Sequence, residues 1–139
     1  MSKILVIDDD PTIVAIYRNA FSKQGFDVEA ANDGEVGLEK FHSCKPDVVL
    51  LDINIPGLNG LAWLQTIRHE PSFAKFPVVV LTGGSTRANV MSAWSSGATC
   101  VMLKSRDEPQ RVIDVVKAVL GNDGPKTWGS GADAAARHH

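Results

Sequence analysis

The chain has 139 residues, a length that fits one domain of ordinary size. Its 14 Lys and Arg residues against 16 Asp and Glu residues give a formal charge of -2 at pH 7, so we expect no direct binding to nucleic acid. Apolar residues make up 44% of the chain and charged residues 22%, which excludes a disordered chain and predicts a packed globular domain.

Five short apolar segments recur along the chain and predict β-strands. They lie at residues 4–7, 26–31, 48–51, 78–81 and 101–103. Several are rich in β-branched residues and apolar at consecutive positions, the pattern of strands that are covered on both faces in a parallel sheet.

Amphipathic segments separate these strands and predict helices. In the first helix, Asp10 is an N-cap, Pro11 takes the first helical position and Gly25 ends the helix. The second helix has Leu38 and Phe41 spaced to face the core.

Three further helices follow the same alternation. The third begins near Gly60, and the fourth carries the apolar residues Val90, Met91 and Trp94. The fifth runs from Pro109 to a glycine end at Gly121. Five alternations of strand and helix predict the α/β class with a five-stranded parallel sheet. The order 2-1-3-4-5, with helices on both faces as in the flavodoxin-like fold, suits five strands best.

We predict one domain, residues 1–121, followed by a tail. Over residues 122–139 the composition turns to Gly, Ala, Ser and Asp, which predicts a flexible Gly/Ala-rich segment. Part of this tail, including its terminal histidines, we attribute to the expression vector.

Neither a membrane span nor a secretion signal is expected. No segment reaches the roughly 20 apolar residues that cross a bilayer. The first apolar run stops at three aspartates instead of continuing as a signal peptide. Cys44 and Cys100 are too few for a disulfide framework and fit a reducing compartment, so we expect a cytoplasmic protein.

Polar residues follow four of the predicted strands. Asp8 and Asp9 come after the first strand, Asp52 after the third, Thr82 after the fourth and Lys104 after the fifth. Ligands of open α/β sheets bind outside the carboxyl ends of the strands, so these residues are the candidates for a site.

Crowded carboxylates repel one another unless a cation neutralises them. A set of oxygen ligands favours Mg2+, and the scarcity of nearby His and Cys argues against zinc. A carboxylate nucleophile, a divalent ion, a lysine and a hydroxyl are together the parts needed to make and hold an acyl phosphate.

The segments that carry these residues resemble the receiver domain of two-component response regulators, the chemotaxis regulators among them. They are Ile4-Leu-Val-Ile-Asp8-Asp9, Val48-Val-Leu-Leu-Asp52, Asp52-Ile-Asn-Ile-Pro56-Gly-Leu-Asn-Gly60, Pro77-Val-Val-Val-Leu-Thr82, and Gly97-Ala98 ahead of Lys104. The likeness covers residues 3–120, nearly all of the predicted domain.

The resemblance implies a signalling switch and not an enzyme. Asp52 would accept a phosphoryl group from a phosphohistidine of a sensor histidine kinase or a histidine phosphotransfer protein. By the same likeness, Asp9, Asp52 and the backbone carbonyl of Asn54 would bind Mg2+ directly, and Asp8 would bind it through water.

The resemblance also assigns the remaining site residues and an output surface. Thr82 and Lys104 would hold the phosphoryl group, while Pro56 and Gly60 would shape the loop after the acceptor. The fourth helix, fifth strand and fifth helix, residues 86–120, would contact a downstream protein whose identity the sequence leaves open.

Two positions depart from the pattern of similar domains. Ser105 stands where a proline usually follows the lysine, and a non-proline cis bond costs about 2.5–4 kcal/mol, so a trans peptide is expected. Val101 stands where Tyr or Phe is usual, so we hypothesise that Trp94 or the backbone carries the readout.

Two alternatives remain open at this point. One is a pseudo-receiver that binds partners without phosphorylation. The other is a phosphatase similar to the haloacid dehalogenases, because the segment from Asp8 matches Asp-x-Asp-x-Thr. Asp8 would then be the nucleophile and Asp10 the general acid, with Lys104, Asp107 and Glu108 in supporting roles.

Overall fold

The structure, a computed structural model, describes residues 2–55, 59–83, 87–104 and 108–122. The strands in these ranges are β1 (Lys3–Ile7), β2 (Asp27–Ala31), β3 (Val48–Asp52), β4 (Val78–Thr82) and β5 (Cys100–Leu103). The helices are α1 (Pro11–Lys23), α2 (Gly34–Cys44), α3 (Gly60–His69), α4 (Arg87–Ser95) and α5 (Pro109–Asn122), with a 3-10 turn at Pro71–Phe73. Beyond Asn122, the predicted tail lies outside the described residues.

The five strands form one parallel sheet in the order β2-β1-β3-β4-β5, which confirms the predicted class and order. Ile4 lies opposite Val48 and Val49 lies opposite Val78, so β1, β3 and β4 run side by side through the centre. Every residue of β3 and β4 is buried. The consecutive apolar residues of these strands follow from this position, because neither face of the sheet meets water.

Helices cover both faces of the sheet and form two apolar cores. On one face, α1 and α5 contribute the buried residues Ile13, Tyr17, Phe21, Val112, Ile113 and Val116. On the other face, α2, α3 and α4 contribute Phe41, Trp63, Leu64, Ile67 and Ala93. The predicted position Phe41 is fully buried, whereas Leu38 is only partly buried at the edge of its core. None of the described helices is long and apolar enough to span a membrane.

The helix α4 differs from the simple amphipathic pattern. Of the three apolar residues that indicated this helix, Met91 and Trp94 are 58% and 50% exposed and Val90 is partly buried. Among residues 90–95, Ala93 is the buried side chain. The two largest apolar side chains among residues 90–95 therefore face solvent. Apolar periodicity marks one face of a helix, but it does not decide which face packs on the sheet.

Capping residues mark the ends of the helices, as the sequence predicts for α1. The side chain of Asp10 accepts a hydrogen bond from the N–H of Thr12 at 2.9 Å, which confirms its role as N-cap of α1. Gly25, at φ +89°, ends the same helix in the left-handed region that favours glycine. Asn59 caps α3 by accepting from the N–H of Ala62 at 2.9 Å.

The first residue of α3 packs directly on the chain that leaves β3. A Cβ atom on Gly60 would lie 2.6 Å from the carbonyl oxygen of Asp52 and 2.6 Å from the Cα of Ile53. Both neighbours are backbone atoms, so they have little freedom to give way. A glycine at this position lets α3 approach the end of β3.

We expect Gly60→Ala to lower the free energy of unfolding by about 1–3 kcal/mol, the usual cost of overpacking. Gly121→Ala is the matched control, because no atom lies within 4 Å of a Cβ at this helical position. The control should stabilise the protein by up to about 1 kcal/mol through helix propensity. Urea denaturation measures both values, and similar effects of the two substitutions would contradict the close contact at Gly60.

Candidate functional site

The candidate site lies at the carboxyl edge of the sheet. Asp8 follows β1, Asp52 ends β3, Thr82 ends β4 and Lys104 follows β5. Because the strands are parallel, their carboxyl ends open on the same edge. The three central strands and β5 thereby bring residues from distant parts of the sequence to one place.

Asp52 is a buried carboxylate with both oxygens engaged. Its side chain is 2% exposed. Oδ1 accepts a hydrogen bond from the N–H of Asn54 at 3.1 Å, and Oδ2 lies 3.0 Å from Nζ of Lys104. A buried charge needs such partners, since an unpaired one costs several kcal/mol.

Two further carboxylates stand beside Asp52. Asp8 is 1% exposed and Oδ1 accepts from the N–H of Asp10 at 2.9 Å, whereas Asp9 is exposed. Asp8, Asp9 and Asp52 each offer one carboxylate oxygen within 4.8 Å of the others. The site therefore has two buried carboxylates, Asp8 and Asp52, and one carboxylate, Asp9, that is exposed to solvent.

The environment shifts the protonation of Asp8. Burial raises the pKa of its carboxyl above the ordinary value, and the charge of Asp52 adds to this effect. The hydrogen bond from Asp10 and the charge of Lys104 act in the opposite direction without outweighing it. An ionised Asp8 is thus costly in the protein alone.

Lys104 is held between two of the carboxylates. Its Nζ lies 3.2 Å from Oδ2 of Asp8 and 3.0 Å from Oδ2 of Asp52. Burial acts to lower the pKa of Lys104, but the hydrogen bonds and charges of Asp52 and Asp8 raise it above its ordinary value. The lysine is therefore a fixed positive charge at neutral pH.

Thr82 and Asn54 complete the predicted set. Thr82 is 1% exposed, and its carbonyl accepts from the N–H of Lys104 at 2.9 Å, which ties the ends of β4 and β5 together. Asn54 is exposed and contacts Asp52 through its backbone N–H. Both residues belong to the edge at which the carboxylates lie.

The donor set fits a hard divalent cation. Three carboxylates face one ammonium group, which leaves an excess of negative charge. Oδ2 of Asp8 is buried, and within the described part of the chain its polar contact is the ion pair with Lys104 at 3.2 Å. Oxygen-only ligands of this kind are those that Mg2+ takes, usually with one or two carboxylates and several waters.

The loop after Asp52 is held by residues that the sequence analysis did not single out. Ile53 and Ile55 are buried on either side of the exposed Asn54. The N–H of Ile53 donates to the carbonyl of Leu81 at 3.1 Å, and the N–H of Gly60 donates to the carbonyl of Ile53 at 3.2 Å. The alternation of apolar and polar residues after Asp52 is the signal that could have indicated this anchoring.

The geometry does not favour the phosphatase alternative. Asp10, its proposed general acid, is the N-cap of α1. Glu108 is exposed just before α5. Several residues with predicted roles lie outside the described residues: Pro56, Ser105 and Asp107.

Comparison with known proteins agrees with the fold. The sequence model of a protein family, the response regulator receiver domain, matches residues 4–117 of the chain. The chain is 34% identical over 118 residues to the alkaline phosphatase synthesis transcriptional regulatory protein PhoP of Bacillus subtilis, covering 85% of this chain and 48% of PhoP. It is 31% identical over 118 residues to the DNA-binding response regulator MtrA of Mycolicibacterium smegmatis, covering 85% of this chain and 50% of MtrA.

Solved structures show the same likeness. The BeF3-activated N-terminal receiver domain of Klebsiella pneumoniae RstA has a TM-score of 0.78 and 28% identity, covering 85% of this chain and 97% of that domain. The chemotaxis response regulator CheY4 of Vibrio cholerae has a TM-score of 0.79 and 25% identity, covering 86% of this chain and 98% of that protein.

These matches define an α/β signalling domain. The chain belongs to the family of response regulator receiver domains. Phosphorylation on an aspartate and binding of Mg2+ are general features of this family, whose members are signalling proteins. The chain spans about half the length of the curated relatives described above.

We expect Asp8→Asn to stabilise the protein in EDTA by roughly 1 kcal/mol, a rise of about 3–6 °C in melting temperature. The substitution removes a costly buried charge, while the amide oxygen can keep the hydrogen bond from Asp10. Thermal unfolding followed by circular dichroism measures the change. The exposed residue Asp114 supplies the control, Asp114→Asn, which should have little effect; a destabilised Asp8→Asn variant would contradict the charge argument.

Proposed function

We propose that this domain is a phosphorylation switch in which Asp52 accepts a phosphoryl group. The donor is a phosphohistidine of a sensor histidine kinase or a histidine phosphotransfer protein. The observation that carries the proposal is the arrangement of Asp52, a buried carboxylate 3.0 Å from Nζ of Lys104 and beside two other carboxylates. Membership of the receiver family supports the same reaction.

The proposed reaction is a simple transfer. A carboxylate oxygen of Asp52 forms a bond to phosphorus, and the bond between phosphorus and the histidine nitrogen breaks. The imidazole leaves and is protonated from solvent. The product is an acyl phosphate, which carries one more negative charge than the carboxylate it replaces.

Neighbouring residues hold the added charge. Lys104, already charged and placed between Asp8 and Asp52, supplies a cation to a phosphoryl oxygen. The hydroxyl of Thr82 donates a hydrogen bond to the phosphoryl group from the adjacent strand end. The phosphoryl group draws Thr82 toward it, and this movement is passed to the chain that leads into α4.

Mg2+ is the proposed cofactor. Asp9, Asp52 and the backbone carbonyl of Asn54 would hold it directly, and Asp8 through water. When bound, the ion offsets the negative charge that builds up around the phosphoryl group. The exposure of Asp9 supports this assignment, because it gives the ion a ligand at the solvent side of the site.

Output is proposed to pass through residues 86–120. Within the described part of this surface, Met91, Trp94 and Leu103 are large apolar side chains with half or more of their surface exposed. Exposed apolar groups of this size suit contact with another protein. Val101 is partly buried against the core and has no ring, so we keep the hypothesis that Trp94 or the backbone carries the readout.

The charge balance argues against nucleic acid as a direct partner of this domain. Two curated relatives are named as transcriptional or DNA-binding regulators, and both are about twice as long as the matched region. The proposal also places the domain in the reducing cytoplasm, where its two free cysteines would stay reduced.

Incubation with phosphoramidate or acetyl phosphate and Mg2+ should add the mass of one HPO3 unit to the protein. Intact mass spectrometry detects the adduct, which should be absent from Asp52→Asn because the amide is not a nucleophile. Asp47→Asn, a substitution at an acid outside the site, is the control. Absence of an adduct with these donors and with phosphorylated kinase would favour the pseudo-receiver, and an adduct that persists in Asp52→Asn would refute the assigned acceptor.

Mg2+ should raise the melting temperature of the protein, because it binds the folded state and not the unfolded state. At a concentration a hundred times its Kd, a ligand of the folded state adds about 2.7 kcal/mol. Asp9→Asn should lose most of this gain. Asp10→Asn is the neighbouring control, since asparagine caps a helix as well as aspartate does and the gain should persist. An equal effect of Mg2+ on the wild type and on Asp9→Asn would rule out Asp9 as a ligand.

A further inference from the structure

The C-terminal end of α4 is attached to α3 through Arg68. Nε of Arg68 donates a hydrogen bond to the carbonyl of Gly97 at 2.8 Å, in the turn that follows α4. Nη1 donates to the carbonyl of Phe73 at 2.8 Å, and Nη2 to Oγ1 of Thr99 at 3.4 Å. One guanidinium group therefore joins α3, the 3-10 turn and the chain that enters β5.

The turn at Gly97 is shaped to receive this side chain. Gly97 has φ +105°, and a Cβ atom on it would lie 2.9 Å from Cγ of Arg68. Its N–H donates to the carbonyl of Trp94 at 3.0 Å, and the N–H of Ala98 donates to the carbonyl of Ala93 at 3.1 Å. The turn held by Arg68 is thus continuous with the last turn of α4.

Two more hydrogen bonds strengthen the attachment. Nε2 of Gln65 donates to Oγ of Ser96 at 3.2 Å, one helical turn before Arg68 on the same helix. Oγ1 of Thr99 also accepts from the N–H of Val78 at 3.0 Å, which links the turn to the start of β4. The end of α4 is connected in this way to the amino edge of the sheet, opposite the acidic site.

The acceptors of Arg68 named above are neutral oxygens. Burial lowers the pKa of Arg68, a cost that a surface arginine would not carry. Five donors in a fixed plane allow one guanidinium to bind several backbone carbonyls at once, which a lysine cannot do. Through these contacts, Arg68 holds the backbone at Phe73 and the backbone at Gly97 together.

The other end of α4 leads back to the site. Thr82 ends β4, and α4 begins at Arg87, only a short stretch further along the chain. Between Val90 and Ser95, Ala93 is the buried side chain, while Met91 and Trp94 are exposed. Within these described residues, α4 packs on the sheet through a small side chain, which buries little apolar area. The hydrogen bonds at its C-terminal end therefore contribute a larger share of what holds the helix in place.

We propose that Arg68 is a positioning residue that holds the C-terminal end of α4, so that phosphorylation turns the rest of the helix about this end. The proposal rests on the proposed function, because the change begins at Thr82. A helix held at one end converts a displacement at the other end into a rotation. Met91, two turns from Gly97, moves further than Trp94, which is one turn away.

The test compares Arg68→Met with the wild type. Methionine keeps an aliphatic stem beside Gly97 and removes the hydrogen bonds. In protein without Mg2+, hydrogen exchange of the Gly97 and Ala98 amides should become faster by about tenfold or more in Arg68→Met. Arg18→Met is the matched control, because Arg18 is remote from Gly97 and donates a hydrogen bond to the carbonyl of Val28 in β2, at the far side of the sheet. In Arg18→Met, the hydrogen exchange rate of the Gly97 amide should equal that of the wild type.

The second measurement follows the response to Mg2+ and BeF3, a phosphoryl analogue. Methyl NMR of labelled methionine, with Met91 assigned by Met91→Leu, should show a shift of the Met91 signal in the wild type. In Arg68→Met the shift should fall by about half or more, because the helix has lost its fixed end. Arg68→Lys should give an intermediate value, since lysine restores the charge but not the planar donor group.

Three results would overturn the proposal. Unchanged amide exchange in Arg68→Met would show that the hydrogen bonds do not hold the turn. Faster exchange with an undiminished Met91 response would show that Arg68 only stabilises the fold. A wild type that gives no 19F signal of bound BeF3 would refute the proposed function, and the signalling role of Arg68 with it. In that case the exchange measurement still shows separately whether Arg68 holds the turn.

Discussion

The contact of Lys104 with Asp8 and Asp52 is the constraint on which the site depends. The partly buried ammonium group of Lys104 lies 3.2 Å and 3.0 Å from two buried carboxylates, and an oxygen of a third carboxylate, that of Asp9, lies within 4.8 Å of oxygens of both. The lysine offsets only part of this negative charge. Burial, together with the charge of Asp52, raises the cost of an ionised Asp8. The excess of negative charge makes this edge a place where a cation is favoured.

The buried parallel sheet makes this arrangement possible. Its central strands are apolar along their length, so polar groups can meet only where the strands end. The carboxyl ends of β1, β3, β4 and β5 then supply one or two groups each. Gly60 lets α3 pack against the backbone of Asp52 and Ile53 at the end of β3.

The helix α4 spans the distance between the two edges of this sheet. One end follows Thr82 at the acidic edge, and the other is held by Arg68 and Gln65 near the amino edge. Two of its apolar side chains, Met91 and Trp94, are exposed to solvent. A change of charge at one edge can thus alter a surface that is suited to protein contact.

Much of this protein was determined by its sequence alone. The apolar runs, the caps at Asp10 and Gly25 and the order of strands are local or periodic features, and the structure confirms them. The positions of the strand-end acids followed from that order. Only the tertiary structure decided that Met91 and Trp94 of α4 face outward, and that Arg68 binds Gly97, 29 residues away. It alone decided the contacts of Lys104 with Asp52 and Asp8, 52 and 96 residues away. These features depend on contacts between distant segments, whose geometry no local pattern contains.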